Sequence, residues 1–499
     1  MTFDCYLDVS ITQGGDIYLN APNIRLTDGG SVISRTIGSG TAGDIEVTAT
    51  SQLELIGASE LDVPPVLSNI SNIAFPVGKT GVININAPTI LITDGATITN
   101  IVAGNSKGAD IIVNADNIRV SGTDNVSGLS ASSISSSSSG LSEGANIYIN
   151  ATDVQIEQGA IIATFSFDTG RLGNVNINAS NSIKVDGFAS QTKNPSSVLS
   201  TVLSADEGSR EIFAQVNIDL SDSAVGNSGN LNIQTAKLDI SNNATISVLN
   251  QGIGDAGNLQ INAEQIFVDN AAQISASTLS GEGGNITINS DNTELLNLSQ
   301  ITANAGGTGN GGNININSNT ILGIQNSDIS ANAISGDGGN ITIDSDFIVG
   351  LQKRSLPTPL NDITATSEFG IDGTITINAP DNNLREQVYA AFKSYTQPRN
   401  RELLERRCLN PRNLEGKILN IGRAGIPANP DNFFDDDEIV AVERVRQDKS
   451  GDVEDEFLVW QPGDPIVNSN AVKLGTDGEI YLVAETRMKD VEADICEAE

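Results

Sequence analysis

Chemistry in this chain would have to come from carboxylates, amides and hydroxyls. It holds 62 Asp and Glu against 27 Lys and Arg, and no histidine. The commonest general base and the commonest transition-metal ligand are therefore missing. What remains is the chemistry of glycan-cleaving enzymes: carboxylates, often with Arg or Lys, converging on one face. The sequence displays no such convergence. Its Asp residues stand mostly in turns, as in Asp28-Gly29 and Asp94-Gly95, where the side chain serves the local backbone. Clustered carboxylates could capture divalent cations weakly, and Asp435-Asp436-Asp437-Glu438 is the densest run. The turns lack the G-G-x-G-x-D nonapeptide of calcium β-rolls, so a cation site would be diffuse. Cys5, Cys408 and Cys496 are far apart and odd in number. They form no zinc spacing and no evident disulfide framework, and their redox state and pairing stay open. No catalytic, metal-binding or cofactor-binding residue is assigned, and no cofactor is expected.

One polar row does recur. Asn20, Asn86, Asn114, Asn150, Asn178, Asn262, Asn289, Asn317 and Asn378 close successive short apolar segments at a nearly fixed place. Stacked Asn side chains can hydrogen-bond to one another as a ladder. The same row could also face a ligand.

The elements that position this row are repeats. Asn285-Ile286-Thr287-Ile288-Asn289 returns 28 positions later as Asn313-Ile314-Asn315-Ile316-Asn317, and 27 later again as Asn340-Ile341-Thr342-Ile343-Asp344. A fixed period of this size signals stacked units, and apolar–polar alternation signals strands. The position before the first apolar pair falls at Asp16, Asp44, Val82, Asp110, Asn146, Asn174, Asn230, Asn258, Asn285, Asn313, Asn340 and Thr374. Most steps are 27 or 28. Steps of 34, 36 and 38 read as one period plus an insertion, and the step of 56 from Asn174 to Asn230 reads as two periods with a degenerate unit between.

Within each unit three strands are expected. The first carries pairs such as Ile83/Ile85 and Ile314/Ile316, and the second pairs such as Ile90/Ile92 and Leu238/Ile240. The third centres sixteen positions after the marker, at Val32, Ile98, Val126, Ile162, Ile246, Ile274, Ile301 and Ile329. Asp-Gly, Gln158-Gly159 and Asn242-Asn243 form the corner between second and third, because Gly and Asn tolerate positive φ. Insertions are placed at Ile56–Lys79, Asn125–Glu143, Phe188–Glu207 and Lys353–Asn361, and the Ser-rich run Ser130–Gly140 reads as a mobile loop.

The expected fold is all-β: a right-handed parallel β-helix with three-stranded rungs, over residues 1–380. Stacked strands sit about 4.8 Å apart, which gives a column of about 60 Å. Such a thin core suits a chain that is 38% hydrophobic and 4% aromatic. Residues 381–409 read as a helical cap, with Leu384, Val388, Ala391 and Phe392 at helical spacing; an open solenoid end needs covering. Residues 410–499 form an acidic tail with short strands at Ala441–Arg446, Glu456–Gln461 and Glu479–Ala484.

The formal net charge of −35 argues against nucleic acid, which demands basic surface, and disfavours anionic membranes. No apolar run is long enough to span a bilayer. The N-terminus lacks a basic stretch followed by an apolar one and moves directly into a repeat, so the chain reads as a piece of a longer polypeptide.

Within the tail, Cys408–Asn432 reads CLNPRNLEGKILNIGRAGIPANPDN. This resembles the C-terminal segment of large cyanobacterial haemagglutinin-like proteins, where a cysteine is followed by a GRGGLPPNP-type motif. Gly422, Arg423, Gly425, Ile426, Pro427, Asn429 and Pro430 match, while Ala424 replaces a glycine and Ala428 a proline. Pro465–Ala484 and the repeats GGNITIN and NAPNIRLTDG are similar to the same family. The resemblance implies a filamentous haemagglutinin-like exoprotein exported by two-partner secretion, in which an Omp85-type outer-membrane transporter recognises an N-terminal secretion domain. No signal peptide or secretion domain is recognisable in this sequence.

The expected function is a non-catalytic, adhesin-like structural rod, secreted or on the cell surface, that attaches to a surface glycan or protein receptor. The alternatives are a β-helical polysaccharide lyase or hydrolase, which rests on fold analogy, and a cation-binding surface rod.

Overall fold

In a computed structural model of the chain, the structure describes residues 14–59, 65–203 and 224–379, together with four short strands between residues 442 and 483. The described residues are all-β, with mostly parallel strands and no helix. They fall into two compact units, Met1–Arg385 and Glu386–Glu499.

The first unit is built from two long parallel sheets in which successive strands come from successive repeats. In the first sheet Leu259–Asp269 pairs with Ile286–Leu296, which pairs with Ile314–Ile324, with Ile261 opposite Ile288 and Ile288 opposite Ile316. β-Branched side chains fit this half-extended backbone, and alternate residues point to one side. Ile45, Ile83, Ile111, Ile147 and Val175 therefore bury completely, one above another. Parallel sheets need such burial.

Two of the expected short strands are one. Ile17–Thr27, Ile147–Glu157 and Val175–Asp186 run continuously through both, bent where the register shifts at Ala21/Asn23, Ala151/Asp153 and Ala179/Ser182. An unpaired residue at that point bends the strand without ending it. The strand is divided at Ile83–Asn86 and Thr89–Thr93, where Pro88 cannot donate to the ladder.

The second sheet runs from Ser31–Ile37 through Asp362–Thr364 to Gln352–Lys353 at its edge. Its central column is Val32, Ile70, Ile98, Ile134, Ile162, Val198, Ile246, Ile274, Ile301, Ile329 and Ile363, each opposite the next. This corrects three readings of the sequence. Val126 lies in a loop and is 43% exposed; Ile134 takes its place in the column. The Ser-rich run is not a mobile loop, because Ser133–Gly140 is a strand paired on both sides and largely buried. Some of its hydroxyls bond locally, as Ser136 Oγ accepts the Ala145 N–H at 2.8 Å, while the buried Ser138 and Ser139 hydroxyls have no partner among the described residues. Finally, Val175–Asp186 pairs directly with Leu231–Ser241, so no further strand of the first sheet lies between them in the step of 56.

Four described insertions, at 57–68, 122–132, 187–196 and 350–361, fall at one corner, between the first sheet and the second. Three close as small antiparallel bridges: Ala58 with Leu67, Thr123 with Ala131, and Phe188 with Pro195. Ser68, Ser132 and Ser196, each 64 residues from the next, repeat one geometry. Each hydroxyl donates to the carbonyl that ends its own long strand, at 2.7–2.9 Å. Each accepts an N–H from the tight turn of the preceding rung, at Gly29, Gly95 and Gly159. The first half of the sheets thus follows a double repeat in which tight turns and hairpins alternate.

The glycines that precede the long strands serve close stacking rather than positive φ. A Cβ on Gly284 would stand 1.9 Å from the carbonyl oxygen of Gly257.

In the second unit Ala471–Leu474 pairs antiparallel with Ile480–Val483, and Val442–Glu443 pairs antiparallel with Phe457–Leu458. The expected helical cap at 381–409 and the GRAGIPANP motif lie outside the described residues.

Candidate functional site

The outward side of the first sheet is rich in amides in its second half. The continuous ladder lies at the marker position rather than at the Asn row that closes the strands. The Oδ1 of Asn146, Asn174, Asn230, Asn258, Asn285, Asn313 and Asn340 each accepts the backbone N–H of the next marker residue, ending at Thr374, at 2.8–3.2 Å. From Asn285 onward each Nδ2 also donates to the Oδ1 one rung below, as in Asn313 to Asn285 at 2.9 Å. The expected ladder forms in parts: Asn150 to Asn114 to Asn86, and Asn289 to Asn262. The signal for the longer ladder was present in the sequence, because Asn or Asp fills nearly every marker position.

This geometry fixes the chemistry of the face. In the marker ladder the Oδ1 atoms are occupied, while each Nδ2 keeps a second N–H. Two residues along the strand stand Asn232, Gln260, Thr287 and Asn315. The two columns enclose a groove lined by amides and hydroxyls with Leu259 between them. Gln260 and Asn315 are exposed and form no side-chain hydrogen bond with a described residue. The equivalent column in the first half of the sheet holds Tyr18, Glu46, Asn84, Ile112, Tyr148 and Asn176, so an unbroken uncharged polar face belongs to the second half.

A second trough lies on the other side of the ladder, with Glu282, Asp337 and Asp372 along it. These carboxylates are engaged with backbone: Glu282 accepts the Asn310 N–H, Asp337 the Ile371 N–H and Asp372 the Ser367 N–H, at 2.9–3.1 Å. Among the described residues no three Cys, Asp or Glu side chains come together in a way that could hold a metal ion.

Charges also meet elsewhere. Lys184 bridges Glu157 and Asp186, and Arg119 reaches the same Glu157 at 3.2 Å. The hydrogen bond with Asp186 holds the Lys184 ammonium above its usual range. Burial pushes the Asp186 carboxyl up, but hydrogen bonds from Asn242, Lys184 and Ser241 outweigh it and keep it low. Both remain charged near neutrality and unsuited to proton transfer. Arg354 pairs with buried Asp362 at 2.5 Å. Asp362 in turn donates its N–H to Asp328 at 2.8 Å. Burial raises the Asp328 carboxyl, the Asp362 N–H opposes this, and the Asp362 charge adds to it. Neither aspartate lines either of the two troughs along the ladder.

No protein-family model, no curated protein and no solved structure matches the chain. No helix among the described residues is long and apolar enough to cross a membrane.

Proposed function

We propose that the chain is the rod of a filamentous haemagglutinin-like surface protein, non-catalytic, that attaches to a surface glycan or protein receptor. On this reading residues 14–379 form a right-handed parallel β-helix of three-sided rungs about 28 residues long. The handedness follows the general preference of parallel crossovers. The cap, the acidic tail, the secreted or cell-surface location and an Omp85-type export partner rest on the sequence resemblance.

The observation that carries this reading is the use made of the polar side chains. Marker amides and groove carboxylates alike accept the N–H of the next rung. They are committed to holding the column, and what faces outward is an extended array for hydrogen bonding. The lyase or hydrolase reading has one point in its favour, three carboxylates in one trough. The experiment is a binding screen of the full chain on glycans and whole cells, with released sugar measured in the same wells. Attachment without product supports the adhesin, product formation replaces it with the enzyme, and neither attachment nor product removes both.

A further inference from the structure

We infer that the groove along Asn230–Asn340 is a subsite for one extended, uncharged polysaccharide chain lying parallel to the column, one sugar per rung. This rests on the adhesin reading and names the ligand class for it.

Four observations lead there. The lining repeats once per rung, at about 4.8 Å, and an extended β-linked hexose chain advances by nearly that distance per sugar. Ladder and groove span Asn230, Asn258, Asn285, Asn313 and Asn340, four steps or about 19 Å. The free groups are donors and acceptors of the neutral kind: the unbonded amides of Gln260 and Asn315, and the second N–H of each ladder Nδ2. Sugar hydroxyls both give and take such bonds.

Charge selects against acidic chains. The protein carries −35 overall, and Glu282 and Asp337 run along the neighbouring trough. A uronate or sulfated polymer would meet like charge at Glu282 and Asp337, with uncharged Asn310 between them. A groove without an aromatic platform binds weakly per sugar, so affinity has to accumulate along the chain.

The experiment titrates the full chain with soluble β-1,4-linked glucose and mannose oligomers of increasing length, and with a uronate oligomer series. Affinity is expected to rise with length up to about five sugars and then level off, with little response to salt. The uronate series is expected to bind at least five-fold more weakly. Gln260→Ala with Asn315→Ala is expected to weaken the longest neutral oligomer about five- to ten-fold, with an unchanged denaturation midpoint as the control for folding. A flat length dependence, a preference for uronate, or full binding by the double variant overturns the inference. If cells or other glycans are still bound in those cases, the adhesin reading stands without this groove. If the unaltered chain attaches to nothing, both fall.

Discussion

Replacing Asp124 by Asn should loosen one hairpin in a way that depends on pH. Asp124 is 2% exposed, yet its carboxylate lies at the centre of the 122–132 loop. Oδ1 accepts the N–H groups of Val126, Ser127 and Gly128, and Oδ2 those of Leu129 and Ser130 together with the Ser127 hydroxyl. Burial works to raise its pKa, but these hydrogen bonds prevail and hold it at about 2, against an ordinary 3.8. The sign follows. A carboxyl whose folded pKa is depressed adds stability that is complete above the unfolded value, and loses it as pH falls through the folded one. The full difference corresponds to about 2.5 kcal/mol, and solvent reaching the loop lowers the expectation to about 1–2 kcal/mol. Asn keeps the shape but loses the charge-assisted bonds.

The assay is denaturant unfolding of both proteins at a series of pH values, with amide exchange at Val126–Ser130. At pH 7 the variant should be less stable by about 1–2 kcal/mol, with faster exchange in the loop. The gap should close as pH falls from 4 towards 2. A gap that is absent at pH 7, or that stays constant into acid, would refute the assignment of Asp124 as the ionised pin of the hairpin.

Four further outcomes follow from the same geometry. Ile274→Ala, at a fully buried site between Ile246 and Ile301, should cost about 2–5 kcal/mol and speed amide exchange mainly in the adjoining rungs. Gly284→Ala should cost more than that in thermal unfolding, since its Cβ would meet the Gly257 carbonyl at 1.9 Å. Leu298→Gly should gain up to about 1 kcal/mol in denaturant unfolding, because Leu298 holds φ 67° at a tight turn and is 55% exposed. Asp328→Asn should raise the unfolding midpoint at pH 7 and leave it nearly unchanged at pH 3, because it removes a charge that burial disfavours and that also stands beside Asp362, yet keeps an acceptor for the Asp362 N–H.

Much of the column is readable from residues. The Ile246–Ile329 offsets place themselves, because each side chain must bury against the same neighbour one period away. Turns announced by Asp28-Gly29 or Asn242-Asn243 do have positive φ. The pairs Asn270-Ala271 and Asn297-Leu298 adopt the same turn without glycine; there the stacked rungs impose a conformation that local preference disfavours. Val126 misled because an apolar residue at the right offset cannot by itself reveal an insertion before it. The Ser-rich strand was hidden because composition reports hydroxyls and not the backbone pairing on both sides of them. The Asn row read as a ladder closes the strands and is not the one that lines the groove, and residue types alone do not tell which atoms the stacked strands consume and which remain for a ligand.

The central claim is that successive repeats stack in parallel and hold the outward amides at a fixed rise. Spin labels on Asn232 and Thr342, in a chain whose three cysteines are changed to serine, measure that rise directly. The stacked arrangement places these positions four steps apart, a separation of about 19 Å between backbones. Moving the second label to Thr376 should lengthen it by about 5 Å. Separations that do not grow by one strand spacing with each rung would contradict the column, and with it the groove.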